Sequence, residues 1–307
     1  MSLRRLSRSA FSSSATIIVS ALLIFELYRF LARSIGIDQI GVWSIVLASA
    51  GVVRLAEIGM TGSVVKFVAS YLGAGDKQRA GNAVLVAVSV VAITVGIAAL
   101  ALQPLVQWLI IRTVQDEALT SIALALLPWA LAAAWAVSLV TVLTAALDGS
   151  QRTDLRALSM VTGNALQLAL VHAFVPVYGL AALGPIQLSF VLVQALLLTG
   201  CLLKVARAGR WGWPRWDAGA LRQLLRYGTA FQLTAIGQLL FEPTVRWLLG
   251  VFGGLTTAGY YEMANRALVQ LRQVIVAAYQ MLVPYLAARF GEAGDEKART
   301  RAYYEKT

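Results

Sequence analysis

Eight charged residues stand inside long apolar runs of this 307-residue chain. Glu26 with Arg29 and Arg54 with Glu57 are spaced i,i+3, and Glu242 with Arg246 is spaced i,i+4; Arg266 and Arg272 complete the set. Such spacings place the partners on one face of a helix. At the centre of a bilayer each charge costs at least ~2.5 kcal/mol, so the residues need a partner or a water-filled cavity. Two chemistries fit. Either the pairs neutralise themselves where helices meet, or they line a central cavity. In a cavity the guanidinium fork suits an anionic, phosphate-bearing ligand. The carboxylates Glu26, Glu57 and Glu242 would then balance charge or bind a coupling H+ or Na+.

Depth sorts these residues. At about 1.5 Å per residue, Arg54 and Arg272 lie ~20 Å along their spans from the outer side, too deep to reach water without a cavity. Glu26 and Glu242 lie similarly far from the inner side. Arg29 and Arg246 are nearer the outer ends and can snorkel, and Lys66 falls beyond the cytoplasmic edge. Pro243, directly after Glu242, either frees a backbone carbonyl for an ion site or kinks the helix. His172, Asn164 and Gln167 share one span and read as hydrogen-bonded packing.

The elements that must position these groups are membrane spans. Apolar residues make up 59% of the chain and charged ones only 13%, with a mean hydropathy of +0.72. A soluble domain has about a quarter charged residues. Apolar blocks longer than the 18 residues that mark a span exclude a soluble enzyme and a disordered chain. Eight segments emerge, at roughly 12–33, 40–72, 81–110, 118–147, 155–177, 179–205, 225–252 and 257–290. The first reads as an uncleaved span, because its apolar run is too long for a signal peptide. The strip 206–222, with Trp211, Trp213 and Trp216, is too polar to cross and reads as an interfacial linker.

A net charge of +11 would suggest nucleic acid in a soluble protein. Here its distribution explains it. Eighteen Lys and Arg fall on one side of the spans and two, Arg33 and Arg112, on the other. That bias places the N-terminus in the cytoplasm and calls for no nucleic-acid partner. One cysteine (Cys201) and one histidine (His172) exclude an intramolecular disulfide and a His/Cys metal site, and there is no phosphate-loop motif. No cofactor or metal is expected.

The chain also repeats itself. At an offset of 218, Gly36, Gly41 and Arg54 fall on Gly254, Gly259 and Arg272, and Trp43 falls on Tyr261. Small adjustments match Phe25-Glu26 to Phe241-Glu242 and Gly75-Asp76 to Gly294-Asp295. The second unit begins after six spans, an even number, so the units are parallel and related by an axis along the membrane normal. The expected fold is an all-α, polytopic, two-lobed exporter or flippase. Residues 1–217 form a first six-helix lobe with its linker at 206–217, and residues 218–307 open a second lobe that is expected to be incomplete, with two spans.

The run Gly36-Ile37-Asp38-Gln39-Ile40-Gly41-Val42-Trp43 and the stretch Lys66-Phe67-Val68-Ala69-Ser70-Tyr71-Leu72-Gly73-Ala74-Gly75-Asp76 resemble bacterial polysaccharide-biosynthesis flippases. These belong to the multidrug/oligosaccharidyl-lipid/polysaccharide exporter superfamily. The stretch Ala258-Gly259-Tyr260-Tyr261-Glu262-Met263-Ala264-Asn265-Arg266 resembles the opening of that family's second lobe. The resemblance implies alternating access that moves an undecaprenyl-diphosphate-linked oligosaccharide across the bacterial inner membrane, with polysaccharide polymerase machinery as a partner. It implies that Arg54, Arg266 and Arg272 bind substrate. A cation-coupled multidrug exporter of the same superfamily is the alternative, and it should have an acid-dominated cavity. A membrane glycan polymerase or ligase is remote, because the outer loops are short and offer few catalytic side chains.

Overall fold

A computed structural model describes residues 3–57, 59–114, 116–207, 211–212 and 214–291. The helices are α1 (Leu3–Ser34), α2 (Ile37–Gly51), α3 (Met60–Gly73), α4 (Lys77–Thr113), α5 (Glu117–Gly149), α6 (Thr153–Tyr178), α7 (Leu183–Val205), α8 (Ala218–Leu248) and α9 (Gly254–Gly291). No strand occurs among the described residues. The apolar lengths dictate this, because only internally bonded backbone survives in lipid. Four described stretches are long and apolar enough to cross a membrane: Ile37–Glu57, Lys77–Thr113, Glu117–Gly149, and Thr153–Val205, which contains α6 and α7. Apolar side chains such as Leu100 and Leu196, 77% and 71% exposed, suit a surrounding lipid phase. The chain is a multi-pass membrane protein.

The second expected span is broken. Residues 40–72 do not form one helix: α2 tightens into a 3₁₀ turn, Val52–Glu57, and α3 starts afresh after Gly59 at φ 62°. No proline lies in this stretch. Glycines at 51 and 59 weaken helix continuity, and Gly59 alone accepts the left-handed conformation cheaply. The break carries Arg54 and Glu57.

The helices α1 to α7 bundle together, with α5 packed on α7 and α4, and α1 on α6. The helices α8 and α9 lie against α1 to α4. Here the repeat becomes physical. Ser44 Oγ donates to Glu262 Oε2 (3.1 Å) and Thr256 Oγ1 donates to Asp38 Oδ1 (2.6 Å), and both pairs are separated by 218 residues. A Cβ on Gly41 would strike the carbonyl oxygen of Leu255, and one on Gly259 would strike that of Ile37. Ser44 and Asp38 thus meet their own counterparts, and the Gly41–Leu255 and Ile37–Gly259 contacts are equivalent under the repeat, the signature of a two-fold contact. The constant offset means α2 and α9 run in the same direction. Gly36 and Gly254, at φ 84° and 77°, open them alike. The Gly294-Asp295 match and the charged tail beyond Gly291 lie outside the described residues.

Lower down, α3 closes on α8. Ser63 Oγ donates to the Leu224 carbonyl (3.1 Å), Lys66 Nζ sits 3.8 Å from the centre of the Tyr227 ring, and Tyr71 donates to Gln223. Residues of the expected linker pack back onto α4. Trp211 is buried, Gly212 N donates to Lys77 O (2.8 Å), and Arg215 N donates to Asn82 Oδ1 (2.8 Å). These bonds pin the linker to the first turns of α4, and of its described indoles only Trp216 is exposed. Arg210 and Trp213 lie outside the described residues.

Candidate functional site

Two charged clusters face one cleft of about 600 Å³ between the break after α2 and the paired helices α8 and α9. On the first wall, Arg54 Nε donates to Glu57 Oε1 (2.7 Å) and Ser138 Oγ of α5 donates to the same oxygen (2.9 Å). Thr94 Oγ1 takes up the Ala56 carbonyl (2.9 Å), one of the backbone groups the broken helix releases. The first turn of α3, with Thr61 and Gly62, lines the cleft beside Arg54, and no side chain caps it.

Glu262 organises the second wall. It is 2% exposed and accepts from four side chains on four helices. Arg246 Nε and Nη2 reach its Oε2 at 2.9 and 2.8 Å, with Ser44 on the same oxygen. Arg266 Nε reaches Oε1 at 2.7 Å, and Tyr28 Oη donates there at 3.1 Å. Burial on this scale is tolerated only because every lone pair is met by a donor. Arg246 also holds Glu242 Oε2 through Nη1 at 3.1 Å. The cleft therefore contains three guanidinium groups and three carboxylates, all ion-paired.

The structure assembles some of the expected residues and separates others. Arg54, Glu57, Glu242 and Arg266 line the cleft. Glu26 does not; it pairs with Arg29 (3.1 Å) on α1, both about half exposed and outside the lining of this cleft and the chamber beside it. Arg272 is exposed on α9 and also outside both linings. The helical phase explains this: six residues separate it from Arg266, more than one and a half turns, which carries it off the cleft face. Arg246 does not snorkel outward, because Glu262 draws it inward to 6% exposure. Pro243 lines the cleft within a continuous α8; the chain loosens later, in a π turn at Leu249–Gly253.

Glu262, Tyr28, Ser44 and Ser138 were not singled out by sequence. The available signal was the offset of 218, which makes Ser44 and Glu262 counterparts. The chamber of about 320 Å³ shares Leu47, Val137, Gln187 and Arg266 with the cleft. Its polar lining is mainly carboxamide: Gln167 bonds Gln187 (3.0 Å) between α6 and α7, as packing predicts, whereas Asn164 Nδ2 and Gln270 Oε1 are buried without a partner among the described residues. His172 stacks on Phe30 at 3.8 Å and faces Leu168 O (3.0 Å), a structural role. Among the described residues no group of His, Cys, Asp and Glu could hold a metal ion.

A family model described as MatE matches residues 14–172. No curated protein sequence matches the chain. Its fold is similar to an inward-facing multidrug resistance MATE family transporter of the MOP superfamily, at 18% identity and TM-score 0.69, over 95% of this chain and 69% of that one. It is also similar to the MATE multidrug transporter DinF-BH, solved as a complex, at 14% identity and TM-score 0.70, over 92% and 65%. A third likeness is a MOP superfamily transporter from Pyrococcus furiosus described by a reversed polarity of its binding pocket, at 16% identity and TM-score 0.53, over 92% and 71%. The chain spans 65% to 71% of the length of these three structures. The superfamily expected from sequence is thereby found. Its polysaccharide-flippase branch is not singled out by any of these likenesses.

Proposed function

The chain belongs to the MatE family of MOP superfamily transporters, and we propose that it exports small molecules by alternating access, driven by H+ or Na+. In this reading residues 1–217 act as one lobe and the chain from 218 opens a second, with the N-terminus in the cytoplasm of a bacterial inner membrane. The observation that carries it is the cleft: about 600 Å³, with its three arginines each matched by a carboxylate. That volume suits a drug-sized ligand. Of the expected coupling carboxylates, Glu57 is buried and, among the described residues, doubly bonded, whereas Glu242 has a side chain 49% exposed and is bonded once. Glu242 is the group at which a coupling cation and a substrate would compete.

The test is transport by the purified protein in proteoliposomes under an imposed H+ or Na+ gradient. A fluorescent dye of drug size should accumulate against its gradient, and E242Q should abolish the ion dependence. Movement of a polyprenyl-diphosphate oligosaccharide, with no movement of small dyes, would overturn the reading in favour of a flippase.

A further inference from the structure

Of the six charged groups at the cleft, three are closed to a ligand. Glu262 is 2% exposed and its two oxygens take four donors; Glu57 is held by Arg54 and Ser138; Arg246 is 6% exposed between Glu262 and Glu242. The three that remain open differ in sign. Glu242 has a side chain 49% exposed and, among the described residues, one bond, to Arg246. Arg54 and Arg266, with side chains 26% and 40% exposed, each turn Nε to a buried carboxylate. A guanidinium fixed through Nε presents its two Nη groups as a fork, and such a fork fits a carboxylate or phosphate. The uncapped first turn of α3 adds positive potential beside Arg54.

A ligand carrying only positive charge would meet one open carboxylate against two guanidinium groups. One carrying only negative charge would bring the Glu242 carboxylate into repulsion with itself. We propose, resting on the transport reading above, that the cleft selects a zwitterion: a small molecule whose anionic group sits between Arg54 and Arg266 and whose ammonium group meets Glu242. Binding then replaces lost hydration at both ends. Internal pairing of the buried residues keeps the empty cleft neutral, so the site needs no counter-ion of its own.

Three probes of matched size test this on the full purified chain by calorimetry at neutral pH: 4-(aminomethyl)benzoate, benzylamine and benzoate. The zwitterion should bind at least about tenfold more tightly than either singly charged probe. E242Q should collapse the preference over benzoate, and R54Q the preference over benzylamine, with folding of each variant verified by thermal unfolding. Should a variant not fold, the ranking in the unmodified protein decides alone. Equal or tighter binding of benzylamine or of benzoate overturns the proposal, as does no binding of the zwitterion. Zwitterion preference without gradient-driven dye transport would keep this inference and sink the transport reading; dye transport with benzylamine preferred would do the reverse.

Discussion

Replacing each of three glutamates by glutamine removes a charge at nearly constant volume, and the structure ranks the cost. Glu262 is buried and neutralises two arginines, one of them, Arg246, itself 6% exposed. Breaking a buried pair costs about 3–5 kcal/mol, because the surviving charge is left desolvated. Arg246 keeps Glu242 at 3.1 Å and Arg266 is 40% exposed, which moderates the loss, so E262Q should cost about 2–4 kcal/mol. Glu57 leaves behind Arg54, whose side chain is 26% exposed, and one hydroxyl, and E57Q should cost about 1–2 kcal/mol. Glu26 and Arg29 are 39% and 49% exposed, and E26Q should cost about 0–1 kcal/mol. Thermal unfolding of the purified variants in one detergent reads the series, at about 2 °C per kcal/mol for a chain of this size. An E26Q loss equal to that of E262Q, or an E262Q variant as stable as the parent, would refute the claim that Glu262 is the electrostatic hub.

Three further outcomes follow from the same geometry. G41A and G259A should each cost about 1–3 kcal/mol, since either methyl group forces α2 and α9 apart, and the double variant should cost clearly less than the total of the singles because one separation accommodates both; unfolding in a double-mutant cycle checks this. R54A should weaken ligand binding severely whereas R272A should not, because only Arg54 lines the cleft, and titration with a transported dye separates the two. In a C201S background, a membrane-impermeant maleimide should label E117C on intact cells but Q151C only after permeabilisation; the opposite pattern would invert the orientation.

Much of the fold was legible without coordinates, and for a simple reason. Span length and number follow from the apolar run a bilayer demands, and parallel units from an even number of spans before the repeat. Local pairs were legible too: Arg54 with Glu57 and Glu242 with Arg246 follow from helical spacing, and both occur. The break at Val52–Glu57 was not, because the apolar run on either side of Arg54 and Glu57 reads as continuous and the turn is held by contacts with α5 and α4.

What only the tertiary structure decided is which charges share a cavity. In lipid the outer faces of the helices are as apolar as the packed ones, so hydropathy does not say which face of α1 or α9 meets a neighbour. Helix crossing does. The contact of Gly41 with Leu255 and Gly259 with Ile37 brings α2 and α9 together, and that approach delivers Ser44 to Glu262. Tyr28, from α1, reaches the same carboxylate across 234 residues of chain. Arg272 has the sequence equivalence to Arg54 that a cavity residue would need, yet helical rotation leaves it outside. Sequence determined that charge stands inside the apolar runs and needs a partner or a water-filled cavity; the packing of two related helices about their shared axis determined the partners.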